Sequence, residues 1–135
     1  MKKRKILIID DDVAFTNIVK LTLELRDNYK VCVENNPCSA IATGLKFGPD
    51  IIILDVVMPE LDGGEVYRQL KTNPILRHIP IIFLSAIVQQ KELDEVKGII
   101  GGRFYIAKPV GADGLIDAIE ERTRFKKRIR SKKRV

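Results

Sequence analysis

The 135-residue sequence predicts an α/β domain in which helices cover both faces of a parallel β-sheet. Short apolar runs rich in β-branched residues occur four times, as expected for strands that are buried on both faces. These runs are residues 6–9, 51–54, 79–84 and 104–107. Helical patterns separate them, and five βα units in about 120 residues favour a three-layer sandwich with right-handed crossovers.

The first half of the chain contains three predicted strands and two predicted helices. The strand over 5–9 leads to a helix over 12–26, and residues 30–34 alternate in polarity as an edge strand does. Asn36 and Pro37 supply a cap and a first-turn proline for a helix over 37–46, and the third strand covers 50–54. The inward stripe expected for the first helix is Ala14, Phe15, Ile18, Leu21, Thr22 and Leu25.

The second half contains two further strands and three helices. Asp62, with Glu65 three residues later, makes a capping-box-like start for a helix over 63–72. The remaining elements are a strand over 79–84, a helix over 88–98, a strand over 103–107 and a helix from about Gly111. The last helix directs Leu115, Ile116 and Ile119 inward.

Composition is that of a soluble globular domain, with 45% hydrophobic and 31% charged residues. No apolar stretch approaches the roughly 18 to 20 residues that span a bilayer, and the run after the basic start is too short for a signal-peptide core. Cys32 and Cys38 lack CxxC spacing and a histidine cluster, so we expect free thiols in a reducing cytosol. These features predict a cytoplasmic protein.

The net charge of +6 is concentrated at the end of the chain. Residues 122–135 hold nine of the 24 Lys and Arg residues and no acid, which leaves 15 basic and 18 acidic residues in 1–121. We therefore divide the chain into a folded domain, 1–121, and a basic extension, 122–135. The extension is either a solvated, partly helical segment or linker, or a weak contact site for nucleic acid or an acidic partner.

Polar residues follow four of the predicted strands: Asp10 and Asp11, Asp55, Ser85, and Lys108. The carboxyl ends of parallel strands border the binding crevice of an open α/β sheet, so these side chains should converge. Three carboxylates, a hydroxyl and an amine can hold a divalent cation such as Mg²⁺, accept a phosphoryl group on Asp55 and stabilise its oxygens. The alternative is that the acidic run 10–12 only caps the first helix, a role that suits Asp12.

Four segments in this order and at these separations resemble the receiver domain of bacterial two-component response regulators. They are residues 6–12, 50–63, 80–86 and 105–109, within a likeness that covers 5 to about 121. The resemblance implies a flavodoxin-like (βα)5 sandwich with strand order 2-1-3-4-5. It also implies a signalling phosphoacceptor, not an enzyme, that promotes its own phosphotransfer and dephosphorylation.

The resemblance also assigns roles to individual residues. Asp55 takes the phosphoryl group from a sensor histidine kinase or phosphotransfer protein. Mg²⁺ is held by Asp11, Asp55 and the backbone carbonyl of Val57, with Asp10 acting mainly through water. Lys108 and Ser85 bind phosphoryl oxygens. Further roles are a Ser85–Tyr105 switch, a cis peptide before Pro109, and an output face made by the fourth helix, fifth strand and last helix.

Several alternatives remain open at this stage. Tyr105 could be a half-buried edge-strand aromatic without a switching role. The chain could be a degenerate receiver that acts only as a binding scaffold. A haloacid-dehalogenase-type phosphatase is a weaker match, because residues 10–14 place Ala14 where that pattern needs Thr or Val and no cap or late acidic pair is present. The sequence also leaves open whether the chain is a single-domain regulator or part of a longer protein.

Overall fold

A six-stranded sheet forms the centre of the part of the chain that the structure describes. The computed structural model describes residues 2–56, 62–86, 99–100, 103–108 and 111–133. Within these ranges the sheet order is β2-β1-β3-β4-β6-β5. Its strands are β1 (Arg4–Ile9), β2 (Tyr29–Glu34), β3 (Ile51–Asp55), β4 (Ile81–Ser85), β5 (Ile99–Ile100) and β6 (Arg103–Ala107).

The five long strands are parallel, and their order is the one implied by the receiver resemblance. The predicted flavodoxin-like fold is therefore confirmed, with β6 in the place of the expected fifth strand and β2 at one edge. The difference is β5, which pairs antiparallel with β6 through Ile99 opposite Phe104 and Ile100 opposite Arg103. The apolar pair Ile99-Ile100 is thus a short sixth strand.

Two of the described helices begin directly after predicted capping residues, Asp12 and Asp62, whereas the segment capped by Asn36 is first a 3₁₀ turn and becomes an α-helix only at Ala40. The helical elements are α1 (Val13–Glu24), a 3₁₀ turn (Pro37–Ser39), α2 (Ala40–Phe47), α3 (Gly63–Thr72) and α4 (Ala112–Lys133). The carboxylate of Asp12 accepts the Phe15 N–H at 3.0 Å, and that of Asp62 accepts the Glu65 N–H at 2.8 Å. Each bond satisfies a donor that the first turn of a helix leaves free. The helix predicted over 88–98 lies outside the described residues.

Apolar side chains fill both sides of the sheet. Alternate residues of β1 and β3 enter opposite cores, because successive side chains of a strand point to opposite faces. Leu115, Ile116 and Ile119 of α4 are buried in one core, as predicted, while Val66 and Leu70 of α3 are buried in the other.

The inward stripe predicted for α1 is wrong. Thr16, Val19 and Leu23 are the buried residues, whereas Ile18 and Leu21 are 64% and 69% exposed. Ala14 and Leu25 are also exposed, and Phe15 and Thr22 are partly buried. At about 100° per residue the exposed stripe lies roughly half a turn from the buried one. Thr16 faces inward at low cost because its hydroxyl donates to the Asp12 and Val13 carbonyls at 3.1 Å.

Polar contacts join α4 to the end of the sheet where the strands begin. Glu120 forms an ion pair with Arg4 at 2.9 Å and accepts a hydrogen bond from the Tyr29 hydroxyl. Tyr29 is 1% exposed, and its burial, together with the bond to Glu120, raises its pKa to about 12. The Arg122 guanidinium lies 3.9 Å from the centre of the Phe104 ring, so α4 still contacts the domain at this point.

The basic extension starts as a continuation of α4. Thr123 is buried, and the helix runs on to Lys133. Residues 122–133 are therefore helical, and the division at residue 121 stays a prediction. Among the described residues, no helix is long and apolar enough to cross a membrane.

Candidate functional site

The carboxyl ends of four neighbouring strands bring the predicted site residues together. Asp10 directly follows β1, and Asp55 and Ser85 are the last residues of β3 and β4. Asp55 is in register with Leu84, and Ser85 is in register with Ala107, the residue before Lys108. The parallel pairing therefore sets these side chains along one edge of the sheet.

Three carboxylates form an acidic cluster in this crevice. One carboxylate oxygen each of Asp10, Asp11 and Asp55 lies within 4.8 Å of the other two. Asp10 is fully buried and Asp55 is 6% exposed, while Asp11 is exposed. Ligands around Mg²⁺ lie at about 2.1 Å from the ion, or up to about 4.2 Å apart. Small side-chain rotations would therefore let this oxygen-rich cluster hold the ion.

Lys108 supplies a positive charge to the cluster. Its Nζ atom lies 2.7 Å from Asp10 Oδ2 and 3.6 Å from Asp55 Oδ1. Burial by itself would lower the pKa of Lys108, but the hydrogen bond to Asp10 and the charges of Asp10, Asp55 and Asp12 outweigh burial and raise it. Lys108 therefore stays protonated beside the predicted acceptor at neutral pH.

Ser85 lies beside Lys108 in the crevice. It is 2% exposed, and its backbone carbonyl accepts the Lys108 N–H at 2.8 Å. This bond ties the residue after β6 to the end of β4. Ser85 and Asp55 thus end the neighbouring strands β4 and β3, on the side of the sheet where Lys108 also lies.

Asn35 also supports the acidic cluster, although the sequence patterns gave it no role. Its side-chain amide donates to the Asp10 carbonyl at 2.8 Å and to the Thr16 hydroxyl at 3.0 Å. These bonds fix the backbone after β1 against α1. The signal in the sequence that could have identified Asn35 is its position directly after the edge strand β2.

Gly63 allows α3 to approach the acceptor strand closely. A β-carbon on Gly63 would lie 2.4 Å from the Asp55 carbonyl oxygen and 2.8 Å from Val56 Cα. The Gly63 N–H donates to the Val56 carbonyl at 2.9 Å. The absence of a side chain at Gly63 is therefore what permits the contact between α3 and the end of β3.

Of the remaining predicted site residues, the structure describes Tyr105 but not Val57 or Pro109. The Tyr105 ring is partly buried and stacks on Phe83, with ring centres 5.1 Å apart, two residues before the end of β6. This position neither requires nor excludes a switch. Val57 and Pro109 lie outside the described residues, so the metal-binding carbonyl and the cis peptide stay predictions.

A groove adjoins the crevice between α1 and the start of α4. It encloses about 430 Å³ and is lined mainly by apolar side chains, with Asp12 and Lys108 among its walls. Other residues that line it include Phe15, Ile18, Val19, Leu23 and Leu115. The groove thus runs from Ile18, on the exposed side of α1, to Lys108.

Comparison with known proteins agrees with this geometry. The model of the response regulator receiver domain matches residues 6–120. The chain belongs to this family. Receiver domains are the phosphoacceptor signalling domains of two-component systems, and no comparison favours a scaffold without phosphorylation or a phosphatase.

Relatives of this receiver domain include longer regulators. The chain is 33% identical over 113 residues to the transcriptional regulatory protein TrcR of Mycobacterium tuberculosis, covering 83% of this chain and 42% of TrcR. It is 39% identical over 106 residues to ResD of Bacillus subtilis, covering 78% of this chain and 42% of ResD. The chain therefore spans less than half the length of these two relatives.

A solved structure of similar size is the chemotaxis protein CheY4 of Vibrio cholerae. The two chains share 25% identity with a TM-score of 0.74, and the match covers 88% of this chain and 98% of CheY4. This similarity supports the parallel sheet order.

Proposed function

We propose that this chain is a cytoplasmic phosphoacceptor in which Asp55 receives a phosphoryl group from a phosphohistidine of a sensor kinase or phosphotransfer protein. The observation that carries the proposal is the position of Asp55, nearly buried at the end of β3 between two carboxylates and the Lys108 ammonium. An Asp55 oxygen attacks phosphorus, the P–N bond breaks and the imidazole leaves, which gives an acyl phosphate.

The residues around Asp55 have separate tasks in this proposal. Asp10, Asp11 and Asp55 would hold Mg²⁺, which offsets negative charge on the cluster and on the incoming phosphoryl group. Lys108 moves from Asp10 towards a phosphoryl oxygen, and the Ser85 hydroxyl donates to another. No other covalent intermediate is needed. The domain therefore promotes its own phosphorylation and dephosphorylation by positioning groups, without acting on a separate substrate.

The exposed side of α1 is a suitable docking surface for a protein donor. Ile18 and Leu21 expose apolar surface beside the groove that leads to Lys108. Polar substitutions at these two positions should slow phosphorylation by a protein donor and leave labelling by acetyl phosphate unchanged. Equal slowing with both donors would mean that the substitutions damage the crevice instead.

The experiment that tests the acceptor is incubation with acetyl phosphate and Mg²⁺ followed by mass spectrometry of the labelled peptide. We expect one phosphoryl group on Asp55, no label in Asp55→Asn, and loss of labelling when a chelator is added. Labelling of Asp10 or Asp12 in Asp55→Asn would favour a phosphatase-like reaction. A wild-type protein that takes no label would favour a binding scaffold.

A second variant tests the metal. Asp11→Asn should weaken Mg²⁺ binding and Asp55 labelling together, because it removes one of the three carboxylates. Isothermal titration with Mg²⁺ measures the first effect without relying on phosphorylation. Asp27→Asn is the matched control, since Asp27 is exposed in the turn between α1 and β2. Unchanged Mg²⁺ affinity in Asp11→Asn would contradict the proposed site.

The output face is proposed to lie around Tyr105, between the predicted helix over 88–98, β6 and the last helix. Phosphorylation is a local change of charge that biases a two-state element, and Ser85 and Tyr105 lie on the neighbouring strands β4 and β6. Hydrogen exchange with and without a stable phosphoryl mimic on Asp55 tests this face. Protection changes confined to the crevice, with none near Tyr105 or α4, would exclude it.

A further inference from the structure

The ammonium group of Lys108 contacts an aromatic ring as well as two carboxylates. Its Nζ atom lies 4.8 Å from the centre of the Phe15 ring, within the range of a cation–π interaction. The side chain of Lys108 is only 19% exposed, so water competes weakly with this contact. Phe15 is partly buried and lies in the first turn of α1.

Hydrogen bonds join Phe15 to the acidic cluster through the backbone. Asp10 Oδ2 binds the Lys108 ammonium, and Asp10 Oδ1 accepts the Asp12 N–H at 3.0 Å. Asp12 Oδ1 in turn accepts the Phe15 N–H at 3.0 Å. The Phe15 ring then contacts Lys108, which closes a circuit of four residues. These bonds tie the backbone of Phe15 to Asp10, and the ring itself packs against the hydrophobic core beneath α1.

We propose that Phe15 is a positioning residue for phosphoryl transfer, which acts by holding the Lys108 ammonium where it can exchange Asp10 for a phosphoryl oxygen on Asp55. The inference rests on the function proposed above. Asp10 is fully buried and lies closer to Lys108 than Asp55 does, so ionic attraction alone favours the pair with Asp10. The ring face attracts a cation without requiring one donor angle, so it stays a partner while the amine moves.

Substitutions of Phe15 separate this role from simple packing. Phe15→Leu keeps an apolar side chain and removes the π face, whereas Phe15→Tyr keeps the π face. We expect Phe15→Leu to slow Asp55 labelling by acetyl phosphate about five-fold, within the range of a partly desolvated cation–π contact. Phe15→Tyr should label within about two-fold of the wild type, because the ring face is retained.

The chain offers a matched control on α2. Lys5 Nζ lies 5.0 Å from the centre of the Phe47 ring, which is also partly buried but belongs to another part of the fold. Phe47→Leu makes the same chemical change away from the crevice. It should label Asp55 at the wild-type rate.

A second readout needs neither metal nor phosphorylation. In ¹H–¹³C spectra of the metal-free protein, the ε-protons of Lys108 should be shifted upfield by the Phe15 ring. The shift should be lost in Phe15→Leu and retained in Phe15→Tyr and Phe47→Leu. The missing cross-peak in Lys108→Met assigns the signal.

The outcomes distinguish this inference from the function on which it rests. Labelling of Phe15→Leu at the wild-type rate, or equal slowing of Phe15→Leu and Phe15→Tyr, would overturn the positioning role and leave Asp55 as the acceptor. A Lys108 signal that is the same in the wild type and Phe15→Leu would also overturn it. A wild-type protein without label would overturn both proposals.

Discussion

Replacing Asp55 with Asn should stabilise the metal-free protein, because it removes one charge from a crowded cluster. Carboxylate oxygens of Asp55, Asp10 and Asp11 lie within 4.8 Å of one another, and each repulsion costs about 3.5 kcal/mol at an effective dielectric constant of about 20. The attraction between Asp55 and Lys108 at 3.6 Å is worth about 4.6 kcal/mol on the same scale. Counted over these three contacts alone, two repulsions against one attraction leave a net cost of about 2 kcal/mol.

Urea unfolding with a chelator measures this difference. The free energy of unfolding of Asp55→Asn should exceed that of the wild type by about 2 kcal/mol, and Tm should rise by roughly 4–8 °C. Saturating Mg²⁺ should shrink the difference, since the ion stabilises the wild-type cluster more. Asp27→Asn controls for net charge. An Asp55→Asn protein no more stable than the wild type with chelator, or an equal Mg²⁺ effect on both, would refute the reasoning.

Three further substitutions or deletions give separate tests. Gly63→Ala should lower the free energy of unfolding by about 1–3 kcal/mol and slow Asp55 labelling, because its β-carbon would meet the backbone of β3 at 2.4 Å. Urea unfolding measures the first effect and labelling with acetyl phosphate the second. A variant with unchanged stability and labelling would contradict the close approach of α3 to β3. Tyr29 has a folded-state pKa of about 12, above its ordinary value of 10.0, so its contribution is complete below pH 10 and is lost as pH rises towards 12. Through Tyr29, the free energy of unfolding of the wild type should fall by about 2–3 kcal/mol between pH 10 and pH 12. Tyr29→Phe should not show this fall when its unfolding is measured over the same pH range. Deletion of residues 126–135 removes no contact made by Arg122 or Thr123. Calorimetry should therefore show a Tm change of a few degrees at most, and Asp55 labelling should stay the same. A larger loss of Tm would show that the extension supports the fold.

The sequence was sufficient to predict the five long strands and to pick out polar residues that the structure brings together at the carboxyl ends of those strands. Buried parallel strands are continuous apolar runs, and a polar residue that follows such a run stands out, which is why Asp10, Asp55, Ser85 and Lys108 could be found. The register of the parallel strands then brings these four residues to the same edge of the sheet. Backbone contacts, such as that of Gly63 with β3, could not be predicted because no pattern of residues in the sequence indicates them.

Helix α1 shows where pattern reasoning failed. The helix carries apolar residues on two opposite faces, so periodicity alone could not tell which face enters the core. The buried face includes Thr16, a polar residue that an apolar pattern passes over and whose hydroxyl bonds to the helix backbone and to Asn35. Phe15 does pack against the core, as predicted, but its contact with Lys108 could not be foreseen from spacing. The short strand β5 was missed because two residues are too few to give a period.

The antiparallel pairing of β5 with β6 has a consequence for the order of folding. Only Gly101 and Gly102 separate Ile100 from its partner Arg103, whereas the parallel strands β1 and β2 pair across helix α1. Closing a short loop costs less chain entropy than closing a long one, and hairpins form in about 1–10 μs. The β5–β6 unit is therefore expected to form early and to add to β4 as a preassembled edge, so that a slow step of folding lies in the crossovers of the parallel strands.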